Sequence, residues 1–84
     1  MDAHDVETVR ALCAGVPHLT VLDVALSPSG RQVVVTITPL AVSAQTLVKH
    51  LYQAMRRDDT SYYGVSWSAL PGQPVEELLF VKVD

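Results

Sequence analysis

The sequence has only one cysteine, one tryptophan, one phenylalanine and three tyrosines among its 84 residues. Because it is alone, Cys13 cannot form an internal disulfide, which favours a reducing compartment. The first ten residues are polar and acidic, so they lack the apolar segment of a signal peptide. No apolar run approaches the roughly 18–20 residues that a membrane span requires. We therefore expect a soluble, cytoplasmic protein with no membrane contact.

Basic residues are also few. Six Lys and Arg stand against nine Asp and Glu, which gives a net charge of −3. Apart from the pair Arg56 and Arg57, the basic residues are scattered, so the sequence contains no basic stripe. Non-specific nucleic-acid binding depends on Lys and Arg displacing counterions from phosphates. Nucleic acid is therefore not the expected partner.

The composition is that of a folded domain. Hydrophobic residues make up 49% of the chain and charged residues 18%, far from the polar, charge-rich signature of disorder. The length predicts a single domain over residues 1–84. A chain this short buries only roughly 60–65% of the surface that it exposes when unfolded. Association with another chain is a common way to make up the shortfall.

Two stretches repeat apolar residues every three or four positions, which predicts two helices. The first covers residues 5–14 and ends at Gly15 and Pro17, since Gly accepts a left-handed turn and Pro disfavours helix before it. The second follows Ser43, a good N-cap. Its apolar stripe is formed by Ala44, Leu47, Val48, Leu51, Ala54 and Met55.

The remaining segments predict four strands, which cover residues 19–26, 31–38, 62–70 and 77–83. The turn SPSG joins the first two strands into a hairpin, because Pro presets the turn and Gly tolerates its exit. The order is therefore α-β-β-α-β-β. Each helix has one apolar stripe and packs on one side only, so we predict an α+β two-layer sandwich. Its four-stranded, largely antiparallel sheet carries both helices on one face.

Helices on one face leave the other face of the sheet uncovered. Alternation in the second strand directs Val33, Val35 and Ile37 toward the helices and Val34 away from them. The first strand leaves two alternatives for its inward set: either Leu22, Val24 and Leu26, or Leu19, Val21 and Ala25 around Asp23.

In the last strand, we expect the outward residues to be Leu78, Phe80 and Lys82, and the inward residues to be Leu79, Val81 and Val83. The predicted open face then includes Val21, Val34, Leu78 and Phe80 beside Thr36, Ser66 and Tyr62. An apolar patch of this kind on a small protein indicates partner contact or self-association. The alternative is that the C-terminal tail or a register shift hides it. The predicted contact residues are Val34, Tyr62, Leu78 and Phe80.

The residues with catalytic or metal-binding chemistry do not form a recognisable site. The three histidines have no i, i+4 pair of the kind that zinc sites use. Cys13 lies on the apolar stripe of the first helix, where it is expected to act as a small buried hydrophobe. Asp23 interrupts a strand, so it lies either on the open sheet face or buried with a partner, and an ion pair with a basic residue of a neighbouring strand is the favoured expectation. We expect Tyr63 and Trp67 to pack in the core.

The connection PLAVS between the second strand and the second helix lacks the residues of a chemical site. A phosphate cradle needs glycines at a helix N-terminus, and TPLAVSAQT contains none. The order α-β-β-α-β resembles that of small iron–sulfur-assembly domains, which keep a cysteine at this connection. It is also similar to the order in KH modules, which have a GXXG loop. Neither signature is present, so no metal, cluster or other cofactor is implied.

The sequence is typical of a small interaction or accessory module that associates through its open sheet face or an edge strand. Its partner would be another protein or a second copy, as in a dimer, and catalysis is not expected. The alternative is a small-molecule-binding or catalytic domain with a pocket near Trp67. That pocket would draw its polar groups from Asp23, His18 and His50. A third alternative is nucleic-acid binding by Arg31, Lys49, Arg56 and Arg57.

Overall fold

The computed structural model describes residues 1–60 and 63–83. In chain order its elements are α1 (Ala3–Ala14), β1 (Val21–Leu26), β2 (Val33–Ile37), α2 (Ala44–Arg57), β3 (Tyr63–Ala69) and β4 (Glu76–Lys82). The strands form one sheet in the order β1-β2-β4-β3, and every neighbouring pair is antiparallel. Both helices pack on the same face. The predicted α+β two-layer sandwich is confirmed.

Both helices begin at side-chain caps. Asp2 accepts hydrogen bonds from the backbone N–H groups of His4 and Asp5, and Asp5 in turn accepts from the Asp2 N–H. This reciprocal capping box satisfies N–H groups that have no partner inside the helix. It explains why α1 begins two residues before the predicted start. In α2, Ser43 accepts from the Thr46 N–H, as its predicted role as a cap requires.

The hairpin of β1 and β2 forms at the predicted turn. The Ser27 N–H donates to the Gln32 carbonyl at the end of the ladder, and Gly30 has a φ of 71°. That left-handed conformation strains residues with a Cβ and is free to glycine. At its other end β1 carries a bulge between Val21 and Asp23, where one extra residue interrupts the register.

The core lies between the helices and one face of the sheet. Three β2 residues predicted to face inward, Val33, Val35 and Ile37, are fully buried there. They pack against apolar residues of both helices: Val9, Leu12 and Cys13 of α1, and Leu47, Leu51, Ala54 and Met55 of α2. The rings of Tyr63 and Phe80 pack edge to face, with their centroids 6.3 Å apart. Such aromatic contacts stabilise a core beyond the area that they bury.

One buried carboxylate connects the two layers. The Asp5 side chain is only 3% exposed, and its Oδ1 accepts a hydrogen bond from the Tyr63 hydroxyl at 3.1 Å. The same oxygen lies 3.2 Å from the Lys82 ammonium. Asp5 therefore joins the start of α1 to the start of β3 and the end of β4. A buried carboxylate is tolerated only when it is paired in this way.

We expect Asp5→Ala to lower the free energy of unfolding by about 2–3 kcal/mol. The substitution leaves the buried Tyr63 hydroxyl without its acceptor and removes half of the capping box. Glu7→Ala is the matched control, since Glu7 is an exposed acid of the same helix whose ion pair with Arg10 is also exposed. It should change stability by about 0.5 kcal/mol or less. Urea denaturation measures both changes, and equal effects would contradict the linking role of Asp5.

The Asp5 carboxylate also predicts a specific acid sensitivity. Its pKa is lowered from 3.8 to about 2, chiefly by the hydrogen bond from the Asp2 N–H, with Lys82 and Tyr63 lowering it further and burial opposing the shift. The folded state therefore holds fewer protons than the unfolded state in this range. The stabilisation is complete above about pH 4 and is lost as the pH falls toward 2. Above pH 4, wild type should be more stable than Asp5→Asn, and the difference should shrink across this window; a constant difference contradicts the assignment.

Candidate functional site

The face of the sheet opposite the helices has no covering layer among the residues that the structure describes. Its centre is a cross-strand row that is set by the register and consists of Ala25, Val34, Leu79 and Ser66. A polar row lies next to it toward one end of the sheet and consists of Asp23, Thr36, Glu77 and Ser68. The opposite end carries the exposed Val81 and Val83. We call this surface the open face.

Of the four predicted contact residues, Val34 lies on the open face. It is half-buried between Ala25 of β1 and Leu79 of β4. Tyr62 lies outside the described residues. The role of Val34 in binding stays a prediction.

The predicted orientation of β4 is wrong. Leu78 and Phe80 have no exposed surface and face the helices, whereas Leu79 is only partly buried and Val81 is 37% exposed. Both alternating sets of ELLFVKV are apolar, so a period of two could not distinguish them. Leu78 and Phe80 together are larger than Leu79 and Val81, and they lie in the core beside Val35 and Val33 of β2. The open face therefore presents Leu79 and Val81 of β4, with Val83 just after the strand, in place of Leu78 and Phe80.

The prediction of which β1 side chains face the helices is also only partly right. Val21, which was expected on the open face, pairs with Ile37 and lies on the covered face. The bulge places Val21, Val24 and Leu26 on one side, a set that mixes the two alternatives. Leu22, at the bulge, is left 53% exposed. A single inserted residue changes which side chains share a face, and simple alternation cannot show it.

A glycine lets the apolar surface extend to the edge of the sheet. A Cβ at Gly64 of β3 would lie 3.2 Å from Val81 Cγ2 and 3.5 Å from Val83 Cγ2. The two valines therefore lean over the backbone of β3. Because β3 is an edge strand, their apolar side chains reach almost to the rim of the sheet.

Trp67 lies at the same rim and is not packed in the core as predicted. It is 39% exposed, and its Nε1 donates to Glu76 Oε1 at 3.0 Å. The same oxygen accepts the Leu40 N–H at 3.0 Å. Glu76 thus connects the PLAVS segment to the strand pair β3–β4. The sequence contains no signal for this link, since it depends on strands that are distant along the chain.

Asp23, His50 and Trp67 do not converge on one pocket. Asp23 lies on the open face of β1, at the edge of the sheet opposite to β3. No ion pair joins Asp23 to another described residue, so the prediction that it pairs with a basic residue is wrong. His50 lines a separate 360 Å³ pocket between α1 and α2, together with Gly15, Val16, Pro17, Gln53, Ala54 and Arg57. His18, the third predicted group, is exposed in the connection between α1 and β1. Asp23 and His50 are thus not assembled near Trp67.

A second concave region surrounds Asp5. This pocket of 270 Å³ is lined by His4, Asp5, Thr8, Thr60, Tyr63 and Lys82. Its central polar groups bind one another, because Asp5 accepts a hydrogen bond from the Tyr63 hydroxyl and forms an ion pair with the Lys82 ammonium. Burial and the Asp5 carboxylate raise the pKa of Tyr63, which keeps its proton on the hydroxyl. The arrangement therefore holds the layers together.

Cys13 is not a nucleophile in this fold. It is 1% exposed in the core, and burial raises the pKa of its thiol to about 12. The thiolate is the reactive form of cysteine, so its fraction at neutral pH is very small. The prediction that Cys13 acts as a small hydrophobe is confirmed.

Within residues 1–60 and 63–83, no group of three or more His, Cys, Asp or Glu side chains could hold a metal ion. Over the same residues, no helix is long and apolar enough to span a bilayer. The chain matches no protein-family model, no curated protein and no solved structure. Its function must therefore be argued from its own surfaces.

The orientation of β4 can be checked with two adjacent residues. We expect Phe80→Ala to lower the free energy of unfolding by about 3–5 kcal/mol, because it opens a cavity in the core. Val81→Ala, on the open face of the same strand, should cost about 1 kcal/mol or less. Chemical denaturation of both variants measures the difference. Equal losses, or a larger loss for Val81→Ala, would contradict the burial described above.

Proposed function

We propose that this chain is a protein-association module that joins copies of itself through the uncovered side of its sheet, by binding and without chemistry. The observation that carries the proposal is the open face. There Leu79 and Val34 form an apolar centre that no described segment of the chain covers. A contiguous apolar surface of this kind on a small domain marks a contact site more often than chance exposure.

The size of the domain supports the same conclusion. Its core lies on one side of the sheet only, between that side and two helices. A domain of 84 residues has little stability to spare. Covering the second side of the sheet with another chain removes further apolar surface from water, at roughly 25 cal/mol per Å² of apolar area. Association therefore adds stability that the isolated chain lacks.

The charges on the open face favour a twofold arrangement of two copies. Asp23 and Glu77 lie at one end of the face, and Val81 and Val83 lie toward the other. When two copies meet with their strands antiparallel, the carboxylates of one copy lie beside the valines of the other. Like charges are then kept apart, which removes a repulsion that a parallel arrangement would create.

The test is the solution mass of the purified chain, measured by light scattering over a range of concentrations. We expect a species heavier than the 9.1 kDa monomer. The double variant Val34→Glu/Val81→Glu should weaken association by roughly tenfold or more, since burying unpaired carboxylates costs more than about 1.4 kcal/mol. It should remain folded, because both positions lie on the open face.

Gln45→Glu is the control, since it places a carboxylate on an exposed position of α2, in the other layer. It should leave the association constant unchanged. A wild-type chain that stays monomeric at every concentration contradicts the proposed function. So does an equal loss of association in the double variant and in Gln45→Glu.

A further inference from the structure

The edge of the sheet at β3 presents unpaired backbone groups. Residues 66–69 are all exposed, and within the described residues β3 pairs with β4 alone. The Tyr63 N–H donates to Met55 Sδ at 3.4 Å, so it points away from β4. Alternate residues of an antiparallel strand direct their backbone groups to the same side. Val65, Trp67 and Ala69 therefore direct their N–H and C=O groups to the free edge, and over residues 1–60 and 63–83 no backbone hydrogen bond reaches these groups.

The two edges of the sheet differ in how they are protected. Natural proteins block pairing at exposed edges with bulges, charges, prolines or a covering segment. The β1 edge has a bulge and the charged Asp23. In contrast, β3 has seven residues in continuous register with β4, and none of them is charged or a proline. Of the two edges, β3 is the one that is open to another strand.

We propose that β3 pairs antiparallel with β3 of a second copy, about a twofold axis at Ser66, to form a continuous eight-stranded sheet. This inference goes beyond the proposed function, because it adds a second contact between copies at the edge of the sheet, separate from the contact through the open face. A second copy is the occupant because the strand is complementary to itself. With no charged residue in β3, the two strands meet without like-charge repulsion.

In the register centred on Ser66, the side chains that lie opposite each other in the two copies are complementary in size. On the helix side, Trp67 of one copy lies opposite Val65 of the other, and aromatic–β-branched pairs of this kind stabilise sheets. On the open face, Ser66 lies opposite its own copy and Gly64 lies opposite Ser68. The residues that direct backbone groups outward, Val65 and Trp67, form the hydrogen-bonded pairs. The two symmetry-related pairs supply about four backbone hydrogen bonds.

Cysteine cross-linking tests the register directly. In this arrangement the two Ser66 residues form a non-hydrogen-bonded pair with Cα atoms about 4.5 Å apart, which a disulfide can span. Ser66→Cys should therefore give a cross-linked dimer under mild oxidation. Ser68→Cys is the matched control on the same strand and face. Its two copies would be roughly 14 Å apart along the strands, so it should cross-link at least roughly tenfold less.

Cys13 does not complicate the experiment, because it is buried with a raised pKa and is also present in wild type. Urea denaturation of the reduced variants should show that both fold like wild type, since both serines are exposed.

The outcomes separate this inference from the proposed function. Preferential cross-linking of Ser66→Cys supports pairing at β3. If neither variant cross-links, or if both do so equally, the pairing is overturned. The proposed function still stands in that case, provided that the wild-type chain is heavier than a monomer and the double variant Val34→Glu/Val81→Glu weakens this association. A monomeric wild-type chain overturns both.

The single tryptophan gives a second measurement that needs no substitution. Trp67 is 39% exposed and lies beside the free edge. Pairing at β3 covers its ring, so its fluorescence emission should shift to shorter wavelength as the protein concentration rises through the association range. An emission maximum that stays constant while the solution mass increases overturns pairing at this edge and places the contact elsewhere on the sheet.

Discussion

Two helices cover one face of this four-stranded sheet, no segment within residues 1–60 and 63–83 covers the other, and the rest of the molecule depends on that imbalance. The core residues of all four strands face α1 and α2, so the stability of the isolated chain comes from one layer contact. The opposite side has an apolar centre at Val34 and Leu79 with a polar row at one end. The proposed association rests on this side of the sheet.

The buried Asp5 carboxylate determines how the two layers meet. It caps its own helix, accepts the Tyr63 hydroxyl and pairs with Lys82. Because Lys82 must face the helices to reach Asp5, the residues two and four positions earlier in β4 face them too. Those residues are Phe80 and Leu78, the two that are fully buried. The ion pair and the packing thus require the same orientation of β4, and together they put Leu79 and Val81 on the open face.

The contact residues predicted from the sequence are wrong where both faces of a strand are apolar. In β2 the outward positions include Thr36, so alternation identified the inward residues correctly. In β4, one alternating set contains Leu78 and Phe80 and the other contains Leu79 and Val81. Both sets are apolar, so only packing in the core decides which one is buried. The prediction that Trp67 packs in the core fails for a different reason. Alternation gives it the correct face, but it cannot show that β3 lies at the rim, where the cover of the helices ends.

The sequence alone determined the local elements: two amphipathic helices, the hairpin with its glycine turn and the serine cap of α2. Each depends on residues within a few positions of one another. The burial of the lone Cys13 likewise follows from its position on an apolar helical stripe. Only the tertiary structure decided the strand order β1-β2-β4-β3, the orientation of β4 and the exposure of the β3 edge. These depend on packing between segments far apart in the chain, where shape and the pairing of buried charge outweigh local pattern.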